Sequence, residues 1–259
     1  MQLTNQNNIP FLTFKNLSET GIVKHCFSTR KGGISAGWFA SMNLGFGRGD
    51  IDANVNENYR RICEAAGISH KKIVMTKQKH GTNIKKIEEV CEVPDNTDGL
   101  MTNQSGITLV TLYADCVPLL FCDPVLRVIA NSHSGWRGTV NNMAAQTVKE
   151  MTLHYGCDPK NILAGIGPCI SKDNYEVDED VAMQFQKEFS ECVFAAEGKH
   201  GKYFIALQEA CKLSLLRAGI LPEKIEIAPW CTFANDELFF SHRRDSAQRG
   251  SLAAIIELK

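Results

Sequence analysis

The chain has 259 residues, with 28 Lys and Arg against 29 Asp and Glu, which leaves a formal charge of −1 at neutral pH. Such a length supports a sizeable core in one large domain or two small ones, and so even a charge balance gives no sign of a nucleic-acid or polyanion binder. No window approaches the roughly 18 apolar residues of a membrane span, and the start, MQLTNQNNIP, lacks the basic and apolar regions of a secretory signal. Ten cysteines without a CxxC spacing read as free thiols of a soluble, cytoplasmic protein in a reducing compartment.

In chain order, Ile22–Thr29 reads as a strand. A glycine-rich loop, RKGGISAG (30–37), and SMNLG (41–45) follow it. The glycines permit positive φ and close approach to a ligand. The lysine precedes them and no GK[ST] is present, so this is not a P-loop. Asp50 or Asp52 caps a helix carrying Val55, Tyr59, Ile62 and Ala66, and Gly67 ends it. A strand over Lys72–Gln78 delivers QKHG (78–81). Asp98-Gly99 begins a turn, and Ile107–Tyr113 is the next strand.

Beyond Trp136 the pattern predicts a helix over Thr139–His154, whose stripe of Val140, Met143, Ala144, Val148 and Met151 is for packing. Strand Ile162–Ile166 leads to GPCI. Asp178 caps a helix over Val181, Phe185 and Phe189. A helix over Phe204–Arg217 precedes strand Ile225–Ala228, and Leu252–Leu258 is the last strand. Gly67, Gly156 and Gly219 each stop a helix shortly before a strand isoleucine: Ile73, Ile162 and Ile225. This repeated exit argues for helices packed outside β-sheet, in an α+β fold with mixed sheets.

The chemistry concentrates in YADCVPLLFCDPVLRVIANSHSGWRG (113–138). Cys116 and His133 stand at the ends of apolar strand-like runs, and so does His80. A Cys/His/His set suits Zn²⁺, or copper, and three protein ligands leave an open position. Other readings stay open. Cys116 and His133 could be a nucleophile and base, or a core thiol and a core imidazole. A closed, non-catalytic site would add Cys169 or Cys231. A multicopper oxidase needs several histidine-rich centres, and only His80 and His133 among the seven histidines sit in such a context.

QKHG (78–81), DGL (98–100), ADCVPLLFCDP (114–124), SHSGWRG (132–138), GIGPCISKDNYEV (165–177) and SHRRD (241–245) resemble the YfiH/YlmD family. That family includes the human laccase-domain protein. It is described both as multicopper polyphenol oxidoreductase and as purine nucleoside phosphorylase. The resemblance covers nearly the whole chain from about Ile22. It implies a single YfiH-like catalytic domain over residues 1–259, with a central sandwich of mixed β-sheets flanked by helices. It also implies a metal, usually zinc, on the residues matching His80, Cys116 and His133. The implied reaction is phosphorolysis of adenosine and inosine, with adenosine deamination alongside.

Such reactions suggest roles for other residues. Deamination needs a carboxylate near the metal, for which Asp115 is the nearest candidate. Arg137 and Arg243 or Arg244 could grip phosphate, and Asn43, Gln78 and Asp98 could hold ribose or base. Arg137 could instead pair with Asp115. The chain departs from the family's pattern at Arg48, at Asn58-Tyr59 and at Gln248-Arg249, which bears on the phosphate contacts rather than the metal.

Overall fold

The computed structural model describes residues 1–259. Its elements in chain order are β1 (Gln2–Gln6), β2 (Ile9–Thr13), α1 (Lys15–Ser18), β3 (Val23–Ser28), α2 (Asp52–Ala66), β4 (Ile73–Met75), β5 (Ile84–Lys86), β6 (Gly99–Thr102), β7 (Thr108–Tyr113), β8 (Val117–Asp123) and β9 (Val128–Ser134). Then come α3 (Trp136–Val140), α4 (Met143–Tyr155), β10 (Leu163–Ile166), β11 (Glu176–Asp178), α5 (Glu179–Glu188), β12 (Val193–Ala195), β13 (Lys202–Ile205), α6 (Leu207–Arg217), β14 (Ile225–Ile227), α7 (His242–Asp245) and β15 (Leu252–Leu258).

Two six-stranded sheets, in the orders β1-β2-β3-β15-β7-β4 and β14-β10-β8-β9-β6-β5, face each other, and a small third sheet runs β11-β13-β12. Each large sheet is mixed: β4 joins β7 in parallel, as do β14 and β10, and β5 and β6. Side-chain alternation sorts the apolar residues into layers. On β8, Leu120 and Cys122 meet Phe27, Leu109 and Ile256 between the sheets. Val117, Leu119 and Phe121 point the other way, into the cluster with Val148, Met151 and Leu215 of α4 and α6. On β15, Ala253 and Ile255 turn outward to Val55 and Ile62 of α2. Both faces of both sheets are covered, so β8 and β15 are buried along their whole length and read as continuous apolar runs.

The expected α+β architecture with mixed sheets and outer helices is the one observed. Gly67 and Gly156 end α2 and α4 in the left-handed conformation, at φ 66° and 74°. Other expectations need correction. Neither Asp50 nor Asp52 caps α2 through its side chain. Asp50 instead binds Ser35, Asn43 and its neighbouring Ile51 amide. The helix expected over Thr139–His154 is two helices, broken where Asn142 takes φ 60°; asparagine is among the few residues that tolerate that conformation, and its side chain is held there by Glu188 and Ser214. Asp178 precedes α5 without a side-chain cap, its carboxylate drawn off by Lys202. The start of the helix expected at Phe204 is strand β13, held on both sides by β11 and β12.

One edge of the sandwich gathers the polar ends of the strands. Register pairs Gly99 with Ser132, and Val117 with Ser134. Asp98, Cys116 and His133 therefore arrive together, at the end where β7 stops at Tyr113.

Candidate active site

The β8–β9 register sets Pro118 against His133, so Cys116, just outside β8, lies beside the last turn of β9. His80 comes from the loop after β4, with φ 62°. The imidazoles of His80 and His133 stand edge to face with centroids 4.9 Å apart. Cys116 Sγ is 4.0 Å from His80 Nδ1. One donor atom from each of His80, Cys116 and His133 lies within 4.8 Å of the others.

Asp98 holds this arrangement from behind. It is fully buried. Its Oδ1 is 2.9 Å from His133 Nδ1 and accepts the His80 amide, and its Oδ2 accepts the amides of Lys79 and Gly81. One carboxylate thus orients the His133 imidazole and anchors the backbone of the loop that carries His80. Burial opposes its charge, but His133 and the two loop amides overcome this and hold its carboxyl below the usual range. His133 is left with Nε2 facing Cys116. Burial would raise the Cys116 thiol, yet His133 and then His80 bring it down to favour thiolate. Burial likewise opposes protonation of His133, and Cys116 with Asp98 overcomes it.

A thiolate, two imidazoles and a carboxylate behind one of them match the kind of donor set and outer support that catalytic metal sites use. The residues therefore fit a borderline ion such as zinc. Neither Cys169 nor Cys231 joins the donor set. Cys169 Sγ bonds Ile170 O, while Cys231 Sγ accepts from Ser171 N. All ten cysteines are free.

Two of the donors, His80 and Cys116, open on a cavity of about 460 Å³. Its walls include Trp136, Ile170, Tyr175 and Leu207, with Asp115, Arg137 and Arg243 among the polar groups. The Arg137 guanidinium lies 4.2 Å over the Trp136 ring, and that of Arg243 lies 5.2 Å over Tyr175. Asp115, at φ 90°, accepts from Thr232, Ser241 and the Arg243 amide. It ties the Cys116 turn to the C-terminal loop and does not pair with Arg137.

Three residues expected at the substrate lie elsewhere. Asp98 is walled off behind the histidines. Asn43 is fully buried, its amide and carbonyl spent on Gly45, Asp50 and Ser251. The Arg244 guanidinium is consumed by the carbonyls of Thr232, Phe233 and Phe239 and by Asp245. Gln78 lines a smaller neighbouring cavity, its amide already exchanging hydrogen bonds with Leu112. Arg249, marked in the sequence only as part of a departure that bears on the phosphate contacts, borders both cavities.

The model of a family described as multi-copper polyphenol oxidoreductase laccase matches residues 24–259. The chain is 34% identical over 242 residues to the Mus musculus protein named Purine nucleoside phosphorylase LACC1, covering 91% of this chain and 55% of that protein; it spans about half of that relative's length. It is 33% identical over 243 residues to Purine nucleoside phosphorylase YlmD of Bacillus subtilis, covering 90% of this chain and 87% of that one. The crystal structure of YlmD from Geobacillus stearothermophilus superposes with a TM-score of 0.89 at 30% identity, covering 100% of this chain and 98% of that chain.

Proposed function

The chain belongs to the YfiH/YlmD family, described as multi-copper polyphenol oxidoreductase laccase, and from that premise we propose that it is a zinc-dependent purine nucleoside phosphorylase acting on inosine and adenosine. The observation that carries the reading is the His80/Cys116/His133 donor set, of which His80 and Cys116 open on a cavity with aromatic walls and arginines. The names of the relatives support the same reaction class.

In phosphorolysis a phosphate oxygen forms a bond to the ribose C1′ as the bond from C1′ to the purine nitrogen breaks. The products are the free base and ribose 1-phosphate. Trp136, Tyr175, Ile170 and Leu207 offer the base an apolar, stacking surface. Arg137 and Arg243 place positive charge at the same walls. Asp115 already accepts three hydrogen bonds, and two carboxylate oxygens offer roughly four acceptor positions. That leaves capacity for a ribose hydroxyl or a proton of the base, from a carboxylate whose position is already set. His80, Cys116 and His133 would hold the ion, and a zinc ion bound there supplies Lewis-acid polarisation of a ligand oxygen. Adenosine deamination, the side activity included in this proposal, would use Asp115 as the proton carrier at the same cavity.

Two assays test the reading. Inosine should give hypoxanthine and ribose 1-phosphate only when phosphate is present. Free ribose formed equally well without phosphate would make the protein a hydrolase. Elemental analysis should find about one zinc per chain; several coppers would favour the oxidase reading instead. Of the seven histidines, two enter the single cluster of three or more donors, and a multicopper relay needs more.

A further inference from the structure

Beside the main cavity lies a smaller one of about 230 Å³, lined by Arg48, Thr76, Gln78, Arg249 and Ser251 among others. The two share His80, Ala114, Cys116 and Arg249 as a common wall. Arg249 is 8% exposed, and its buried Nε has no hydrogen-bond partner. Its Nη1 donates to Gly250 O, and no carboxylate pairs with it. A buried guanidinium is ordinarily satisfied, since an unmade charged hydrogen bond costs more than a neutral one. Burial and then the neighbouring Arg48 charge bring the Arg249 guanidinium down to about 10. Asp115, Cys116 and Asp245 offset this only in part and from a distance, since none of them pairs with Arg249 directly.

The surrounding chain is built to hold the two arginines together. Asn43 Oδ1 accepts the amides of both Gly45 and Ser251, joining the loop that carries Arg48 to the segment that carries Arg249. Leu44 N bonds Ser251 O across the same seam. A Cβ at Gly45 would stand 2.6 Å from Ser251 Oγ and 3.3 Å from Arg48 Cδ, so that glycine leaves room for the arginine stem. Unlike Arg244, whose guanidinium is saturated by carbonyls, Arg249 keeps donors to spare.

We propose that Arg249 and Arg48, with Ser251 at their side, form the binding site for inorganic phosphate, the second substrate of the phosphorolysis proposed above. The inference rests on that reading for the role of the anion, and on the unpartnered guanidinium for its place. A tetrahedral oxyanion there supplies the missing partner of Arg249 Nε and neutralises the repulsion of the pair. The two cavities share His80, Ala114, Cys116 and Arg249, so an anion held there adjoins the larger cavity that would take the nucleoside. Asn43 is then a positioning residue, which accounts for its burial.

Titrating inorganic phosphate into zinc-loaded protein by calorimetry tests this without turnover. Arg48→Ala, an exposed position that leaves the core intact, should weaken phosphate binding by about tenfold or more, the loss of a charge-assisted pair. Arg249→Lys should weaken it comparably, because a point charge does not reproduce the fork. In turnover, both should raise the phosphate KM with little change in the nucleoside KM. Phosphate affinity unchanged in both variants, or lost only in Arg137→Ala, would overturn the assignment. So would a wild type that binds inosine 5′-monophosphate at these arginines but not free phosphate. If phosphate binds and Arg48→Ala abolishes the binding, yet no nucleoside is phosphorolysed, the anion site stands and the reaction reading fails. If phosphorolysis proceeds with an unaltered phosphate KM in both variants, the reverse holds.

Discussion

Cys116 has two chemically opposed futures, and its neighbours decide between them. In the metal-free chain, His133 and His80 favour its thiolate against the effect of burial, which is the condition for a reactive nucleophile. With an ion bound, the same lone pair is occupied. Alkylation of the peptide around Cys116, followed by mass spectrometry, should therefore be slow in zinc-loaded protein and fast after a strong chelator. Rapid labelling of loaded protein would favour the Cys116–His133 nucleophile–base pair. Slow labelling in both states would make the thiol a packing group. Asp98 tests the outer support. Asp98→Asn keeps the size but weakens its hold on His133 and the three loop amides, and zinc affinity should fall by roughly 10- to 100-fold, measured by competition with a chromophoric chelator. His25 sets an acid limit on stability. Its Nε2 accepts the Phe14 amide, and burial lowers its pKa from 6.5 to about 4, against the smaller opposing effect of Glu226. The unfolded chain binds this proton first, so stability is full above about pH 6.5 and falls as pH drops toward 4, by on the order of 3 kcal/mol. In His25→Gln, denaturant midpoints should change less between pH 7 and pH 5 than in the wild type.

At the level of elements, the start of α3 is the sensitive joint. A Cβ on Gly135 would stand 2.4 Å from His80 Nδ1 and 3.2 Å from Cys116 Sγ. His80 is an exposed side chain on a loop and can swing away. Gly135→Ala should therefore lose most of its zinc while its thermal midpoint, compared in metal-free protein, moves by only a few degrees; retained zinc would mean that the loop accommodates the methyl. The elements legible in the sequence were those whose burial writes a periodicity: α2 through Val55, Tyr59 and Ile62, and β15 as an unbroken apolar run. What escaped depends on partners far along the chain. β13 is a strand because β11 and β12 flank it, and Lys202–Ile205 alone is too short to announce that. The β1–β2 hairpin did carry a local signal, Asn7-Asn8, both at positive φ between Gln6 and Ile9. The signal is weak because β1 is polar and largely exposed and so writes no apolar alternation. The donor residues were legible as residue types at strand ends. Their support was not, because a carboxylate behind a histidine and an asparagine pinning two loops look the same in sequence as residues that meet substrate.

Across the whole molecule, the two sheets are locked by a polar bolt as well as by apolar contact. Asn131 of β9, fully buried, donates to Leu109 O and Ala254 O of the facing sheet and accepts from Thr111, 2.5 Å away. Replacing it with Leu removes these three hydrogen bonds, each worth about 0.5–1.5 kcal/mol net, while Thr111 keeps its bond to Tyr113. Asn131→Leu should destabilise the fold by roughly 2–4 kcal/mol in denaturant unfolding. A shift under 1 kcal/mol would show that the sheets are held by shape alone. The same residue shares a strand with His133, two positions on, so misalignment of the sheets should also reach the site.

Asp98 gives the molecule a further property, through mass action. The loop of His80 is gathered onto the same carboxylate that orients His133, and the donors come from stretches that meet only when both sheets are formed. An unfolded chain has no such gathering point, so an ion that binds the native state adds its binding free energy to the stability of the entire sandwich, about 4 kcal/mol at a free concentration a thousand times Kd. On the proposed zinc reading, free metal then sets the stability of the protein. Melting curves should climb with the logarithm of free zinc in the wild type and lie flat in His80→Ala.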